Sequence, residues 1–256
     1  TPLNGILGMA QLLRRTPLDT AQQAQTDVIA QSARHLRSVI DDILDLARVE
    51  AGRLQIEAAP FDLRQTVQAV IRLLMPLAEE RQLRLELQFE DGLPARWHGD
   101  AGRIRQVLHN LIGNAIKFTT EGSVRLEVAS AGRGLRFTVR DSGCGISAAA
   151  LEHVFEPFER AAGPVVGTGL GLPIARQLAR AMGGDVVCLR STEQGSVFQF
   201  EVDCLPLPQD SASIDGDADT APSAEDMQLQ HAGARALLVE DNAVNALAAT
   251  AMLERC

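Results

Sequence analysis

The sequence predicts an α+β fold. A two-helix hairpin comes first, then an α/β sandwich with a mixed or antiparallel sheet, then the opening βα unit of a further domain. Three observations predict it. Apolar residues recur every three or four positions through the N-terminal part, the period of amphipathic helices. Farther on, Leu83, Leu85, Leu87 and Phe89 alternate with Arg84, Glu86 and Gln88, the pattern of a half-buried strand. Helices and strands then follow one another without regular βα alternation, which argues against a doubly wound parallel sheet.

The first helix is read over residues 1–16, where Leu3, Ile6, Leu7, Ala10 and Leu13 form one stripe. The sequence begins inside this stripe, so the start of the helix is expected upstream. Pro17 interrupts it, and Asp19 or Thr20 can cap a second helix running to about Ala51, with Gly52 as its stop. Val28, Leu36, Val39, Ile40, Ile43 and Ala47 are its inner side. Two helices with one apolar face each do not make a core alone, so association into a four-helix bundle of two chains is expected.

From Phe61 the texture changes. Residues 61–80 read as a helix on Leu63, Val67, Val70, Ile71 and Leu74. The strand at 83–89 turns at Asp91-Gly92. A helix from Ala101 to Phe118 follows, then strands Val124–Ala129 and Leu135–Arg140, helices near 147–153 and 171–182, and strands Asp185–Arg190 and Ser196–Val202. Residues 206–232 mix Pro206, Pro208 and Pro222 with small residues and six acids, and carry no Lys or Arg. Low hydrophobicity with charge of one sign reads as a disordered linker. Beyond it, Ala236–Val239 is a short apolar strand, followed by Glu240-Asp241-Asn242 and a helical pattern. The expected domains are therefore 1–55, 56–205, a linker at 206–233, and a partial domain at 234–256.

Composition narrows the function. A formal net charge of -9 argues against non-specific binding to nucleic acid or anionic lipid. The four cysteines, Cys144, Cys188, Cys204 and Cys256, show neither CxxC nor zinc-site spacing, and read as reduced thiols with buried packing. No apolar run reaches the ~20 residues that cross a bilayer.

Two glycine-rich segments carry the chemistry. Asp141-Ser142-Gly143-Cys144-Gly145-Ile146 follows a strand, and Gly167-Thr168-Gly169-Leu170-Gly171-Leu172 precedes a helix. Alternating glycines let backbone N–H groups approach a ligand, and the helix N-terminus adds partial positive charge for phosphate. The second segment is neither a dinucleotide fingerprint nor a Walker A loop, since no Gly-Lys-Ser/Thr follows. On the helix 101–118, Asn110 and Asn114 share a face, as do Asn114 and Lys117. Amide oxygens and an ammonium on one face suit a Mg²⁺–triphosphate, although an amide pair cross-linking buried backbone has the same spacing.

Together these segments resemble the sensor histidine kinases. Gln106–Thr119, QVLHNLIGNAIKFT, resembles their N box, DSGCGI their G1 box, Phe155-Glu156-Pro157-Phe158 their F box and GTGLGL their G2 box, in the family's order. Thr1–Gly8 resembles the tail of the H box, and Leu237–Asn242 the start of a flavodoxin-like receiver domain, as in hybrid kinases. The resemblance implies a sandwich of the histidine-kinase/Hsp90-like (Bergerat) type, an ATP-dependent protein-histidine kinase of a phosphorelay, and ATP and Mg²⁺ as ligands. It implies that Asn114 coordinates Mg²⁺ with Asn110 assisting, that Lys117 contacts phosphate, and that Asp141 accepts the adenine amino hydrogen beside Gly143 and Gly145. Phe155 and Phe158 would edge an ATP lid, and Gly167, Thr168, Gly169, Leu170 and Gly171 would lie against the phosphates. Glu240 and Asp241 would belong to a second Mg²⁺ pocket in the receiver. Thr1 would be the polar position that assists phosphatase activity.

Gly195-Ser196-Val197-Phe198 resembles a further glycine motif of the family, and reads equally as a hairpin turn. The lid from Glu159 to Val166 departs from the family in being short, with Arg160 its one basic residue. The acceptor histidine is expected four residues before Thr1, and none of His35, His98, His109, His153 and His231 stands in such a context. The resemblance also implies a homodimer through residues 1–52, and a receiver in cis or a response regulator or phosphotransfer protein in trans. A cytoplasmic portion is expected, with room for an inner-membrane anchor upstream. Two rivals remain: an ATPase of the same fold, as in chaperones or DNA repair, and a dimeric scaffold with a vestigial ATP site. The hairpin, the receiver-like tail and the intact Asn, Asp and Gly set argue against them.

Overall fold

The computed structural model describes residues 2–50, 54–159 and 169–208. Thr1, Arg160, Gly167, Thr168, the linker beyond Pro208 and the receiver-like unit with Glu240 and Asp241 lie outside the described residues. The chain divides into two compact units, and the division falls inside the second helix, between Asp41 and Asp42.

Helix α1 spans Pro2–Leu13 in the first unit, and α2, which carries the division, spans Thr20–Glu50. The first helix ends earlier than the apolar period suggested, because the chain turns at Arg14–Thr16, where the Thr16 hydroxyl donates to Leu13 O at 2.7 Å. Asp19 is the cap of α2. Its Oδ1 accepts from Gln22 N at 2.8 Å while Asp19 N donates to Gln22 Oε1 at 3.1 Å, a reciprocal capping box. Arg14 and Asp27 pair at 3.2 Å across the turn.

The inner side assigned to α2 is not covered within one chain. Val28, Leu36, Ile40 and Ile43 are exposed in the single chain, whereas Thr26, Ala30 and Ala33 are buried. A stripe of this kind on one hairpin needs a second apolar face to close over it.

The second unit holds a five-stranded mixed sheet in the order β2-β4-β5-β7-β6. These strands are β2 Arg84–Phe89, β4 Ser123–Ala131, β5 Gly134–Asp141, β6 Asp185–Thr192 and β7 Gly195–Asp203. Strands β2 and β4 run parallel and every other pair in this sheet is antiparallel. Helices α3 (Leu63–Glu80), α4 (Ala101–Phe118) and α6 (Gly171–Ala181) bury their apolar faces in one core with the sheet. Phe137 and Phe200 stack at 5.2 Å between centroids in its centre. The short α5, Ala148–His153, is capped by Ser147. The solvent face of the sheet is laced by Glu86–Arg125, Glu127–Arg140 and Arg136–Glu201 pairs.

A second sheet, β1 (Ala59–Asp62), β3 (Arg96–Gly99) and β8 (Leu205–Pro206), has no counterpart in the sequence reading. Its strands are two to four residues long, too short to show alternation. It moves two boundaries. Helix α3 starts at Leu63, capped by Asp62, rather than at Phe61. The folded domain also runs past residue 205, since Leu207 N donates to Arg96 O at 2.9 Å. The cysteines divide likewise. Cys204 is buried against Gly99, and burial followed by the Asp203 charge pushes its thiol up to about 12. Cys144, read as buried, is exposed.

One carboxylate ties the domain's entry to its central helix. Asp100 is buried; its Oδ1 caps α4 by accepting from Arg103 N at 3.0 Å, and its Oδ2 accepts from Glu57 N at 2.9 Å. Asp100→Ala is expected to lower unfolding stability by about 2–3 kcal/mol, the loss of a cap and of a second charge-assisted bond. Denaturant titration checks this; a loss below about 0.5 kcal/mol would mean water replaces both bonds.

Candidate nucleotide site

The site is assembled on α4, the end of β5, the start of β7 and the N-terminus of α6. Helix α4 is apolar on the side of Val107, Leu108, Leu111, Ile112, Ala115 and Ile116, all buried in the core. Asn110 and Asn114 therefore fall on a different side, toward α6. The Asn110 amide nitrogen donates to Gly171 O at 3.2 Å. A Cβ at Gly171 would lie 3.8 Å from Asn114 Nδ2 and 3.9 Å from Asn110 Oδ1, so the first turn of α6 rests against both amides. The backbone cross-link allowed by the sequence pattern is thus present at Asn110. At the far end of α4, Arg81 Nη1 donates to Lys117 O at 2.9 Å and closes the helix. Lys117 Nζ sits 5.1 Å from the Phe118 ring centroid.

Helix α6 starts differently from its neighbours. Asp62, Asp100 and Ser147 cap α3, α4 and α5 with side-chain oxygens, but the N-cap of α6 is Leu170, which has no such oxygen. Its first turn is thereby suited to an anion brought by a ligand. Gly169 precedes it at φ +71°, and a Cβ there would stand 2.7 Å from Glu159 O. Phe158 N donates to Gly169 O at 3.1 Å, so the residues flanking the 160–168 segment are joined. Phe158 itself is exposed and has φ 66°, a left-handed conformation that costs a non-glycine residue roughly 1 kcal/mol.

Asp141 ends β5. Its Oδ1 accepts two backbone N–H groups, from Gly143 at 2.9 Å and from Ser196 at 3.1 Å. Burial pushes its carboxyl above the usual range, and these two donors pull it partly back. Both donors depend on missing Cβ atoms. At Gly143 a Cβ would meet Phe118 O at 2.5 Å, and at Gly195, with φ +123°, it would strike the Asp141 carbonyl. Gly145, φ +68°, is pressed as closely on the Thr192 carbonyl.

Three serines complete this corner: Ser142 and Ser196 lie in motifs read from the sequence without a role, and Ser191 lies outside them. Ser191 Oγ accepts from Ile146 N at 2.7 Å and pairs with Ser196 Oγ at 2.8 Å, while Ser142 Oγ bridges Ser123 N and Glu121 O. The signal available was the Gly195-Ser196 step, which is both a hairpin start and a clamp on Asp141. Among the described residues no His/Cys/Asp/Glu cluster could hold a metal, so a cation here would depend on amide oxygens and on ligand phosphates.

Known proteins share these domains and this fold. Residues 1–52 match the His Kinase A (phospho-acceptor) domain, and residues 99–206 match the histidine kinase-, DNA gyrase B-, and HSP90-like ATPase family. The catalytic domain of the histidine kinase ThkA superposes with a TM-score of 0.52 at 30% identity, over 59% of this chain and 97% of that one. The chain belongs to the sensor histidine kinases. Full-length ShkA, solved with AMPPNP, superposes on 80% of this histidine kinase chain and 44% of its own, with TM-score 0.68 and 37% identity. The sensor protein TorS of Escherichia coli K12 is 38% identical over 94% of the chain, which spans 26% of the length of that relative.

Of the residues taken from the motifs, Asn110 and Asn114 meet Gly171 at the start of α6, and Asp141 meets Gly143 at the end of β5. Phe155 packs against Phe198 and Arg176, and Phe158 is exposed. Gly195→Ala is expected to displace the Ser196 N–H from Asp141, costing about 1–3 kcal/mol of stability and roughly tenfold or more in affinity for an ATP analogue. Calorimetry and denaturant unfolding read the two effects; unchanged affinity would remove the clamp from the site.

Proposed function

We propose that the chain is the kinase portion of a hybrid sensor histidine kinase, which transfers the ATP γ-phosphate to a histidine and then to a receiver aspartate. The observation that carries this is Asp141, a half-buried carboxylate oriented by two backbone N–H groups at one end of a corner whose other end is an α-helix N-terminus flanked by two asparagines. Asp141 would accept the adenine amino hydrogen, with Gly143 and Gly145 allowing the base close. The first turn of α6, with Gly169, Leu170 and Gly171, would face the phosphates; Gly167, Thr168 and Arg160 are assigned there from their motifs. Asn114 would offer its amide oxygen to Mg²⁺, with Asn110 assisting, and Lys117 would meet phosphate. A divalent ion, when bound, supplies charge neutralisation of the triphosphate. Glu240 and Asp241 keep their proposed place in a receiver Mg²⁺ pocket, and Thr1 its phosphatase-assisting one.

Residues 1–52 would form the homodimer, since the exposed stripe of α2 needs a cover. Transfer would run to a receiver in cis, or to a response regulator or phosphotransfer protein in trans. No described helix is long and apolar enough to cross a membrane. A cytoplasmic site with an upstream anchor remains the proposed placement.

The raised carboxyl of Asp141 gives a signed pH effect. The charged form binds adenine, so affinity should fall as pH drops through that raised value. The nucleotide-free fold gains stability over the same window, because the native state takes up the proton before a free carboxyl would. Asp141→Asn should abolish both dependences, weaken an ATP analogue by about 2–3 kcal/mol, and leave the nucleotide-free unfolding stability no lower than wild type. Calorimetry across pH tests this; an affinity equal to wild type removes the adenine assignment.

The chain is also expected to bind Mg·ATP without labelling itself. Transfer needs an imidazole nitrogen near the γ-phosphate and roughly in line, and a misplacement of about 1 Å can cost ~100-fold. No histidine of the sequence stands in an H-box context. With γ-labelled ATP, alkali-stable label should appear only on a longer chain that includes an upstream H-box histidine. Equal labelling of the present chain would bring His35 forward as acceptor.

A further inference from the structure

Arg176 lies on α6, one and a half turns after the glycines, and outside every motif of the sequence reading. Its guanidinium carbon stands 4.6 Å from the centroid of the Phe155 ring. The other side of the guanidinium work is fixed: Nε and Nη2 donate to Asp185 Oδ1 and Oδ2 at 3.0 and 3.3 Å. Arg180 donates to the same two oxygens, at 3.3 Å each, and Val186 N adds a third donor at 2.8 Å. Burial pulls the Asp185 carboxyl up, yet these hydrogen bonds outweigh it and hold the group below its usual range. Asp185 is therefore a charged anchor that aims the Arg176 plane.

Phe155 is held from a second direction. It meets Phe198 edge-on, at 6.5 Å and 81°. Phe198 is two residues beyond Ser196, whose N–H orients Asp141. Arg176 is five residues beyond Gly171, which rests against Asn110 and Asn114. Phe155 thus stands between the helix that presents the phosphate-facing turn and the strand that presents the adenine-facing clamp.

We propose that Arg176 is a positioning residue for nucleotide binding: by holding the Phe155 ring against Phe198, it sets the spacing between α6 and β7, and so between the two ends of the nucleotide. This rests on the ATP reading of the site given above. The planar face of the guanidinium is the working feature, because a lysine could keep the charge toward Asp185 but not the stacked contact. A contact of this kind changes binding by a factor of roughly three to ten.

The experiment is calorimetry of the whole chain with a non-hydrolysable ATP analogue and Mg²⁺. Arg176→Ala and Arg176→Lys should each weaken binding roughly three- to tenfold. Phe155→Leu should do the same, and the Arg176→Ala/Phe155→Leu double variant should be no weaker than Phe155→Leu alone, because one contact cannot be lost twice. Thermal melts of each variant identify losses that come from unfolding. Wild-type affinity in Arg176→Lys, or losses that multiply in the double variant, would overturn the positioning role. A wild-type chain that fails to bind the analogue overturns the nucleotide reading itself; one that binds while Arg176→Ala binds equally well overturns only the role of Arg176.

Discussion

The constraint on which the rest of the site depends is the partial burial of a carboxylate at the end of β5. Taking Asp141 away from water is unfavourable, and burial raises its carboxyl accordingly. Two backbone N–H groups offset part of that cost, and the path of the chain that presents them leaves no room for a Cβ at two positions. The glycines at 143 and 195 follow from that need. The hairpin between β6 and β7 is placed by the same requirement, since Ser196 must present its N–H to Asp141. Ser191 and Ser196 then satisfy one another and the Ile146 N–H. A corner that looks like loose loop chemistry is a chain of polar groups settling one half-buried charge.

Helix α4 carries the second half of the design. Its apolar side is committed to the core, so Asn110 and Asn114 cannot turn inward without burying amides in place of isoleucine and leucine. Their line along the helix is therefore as rigid as the core itself. The Asn110 bond to Gly171 O fastens α6 to that line. Arg81, from a distant part of the chain, closes one end of the helix, and the adjoining Asp100 closes the other. Rigidity of the polar face is obtained from packing on the opposite one.

Much of this was legible in the sequence, for reasons that differ by element. Helix α4 was placed with its observed ends because Asp100 and a long apolar period bracket it. Strands β4, β5 and β7 showed clean alternation because one face of the sheet is core and the other is lined with paired charges. The small sheet of β1, β3 and β8 was invisible, because strands of two to four residues complete no period and include Pro60 and Pro206. The glycine boxes pointed to this corner, but not to what holds it: one N–H partner of Asp141 is Gly143 in the same box, while the other, Ser196, comes from over fifty positions away. The stripe on α2 was read as apolar and inward, and within one chain it lies exposed, since periodicity reports that a face needs covering and not what covers it.

The small sheet has a topological consequence. Strand β3 lies in the middle, with β1 at the beginning of the domain on one side and β8 at its end on the other. The chain therefore enters and leaves within two strand spacings, about 10 Å. A domain whose ends adjoin can be spliced between other segments without stretching or redirecting them, and it can be duplicated or exchanged as a cassette. Six residues of β1 and β8, inconspicuous in the sequence, make the catalytic domain a plug-in unit in a modular signalling chain.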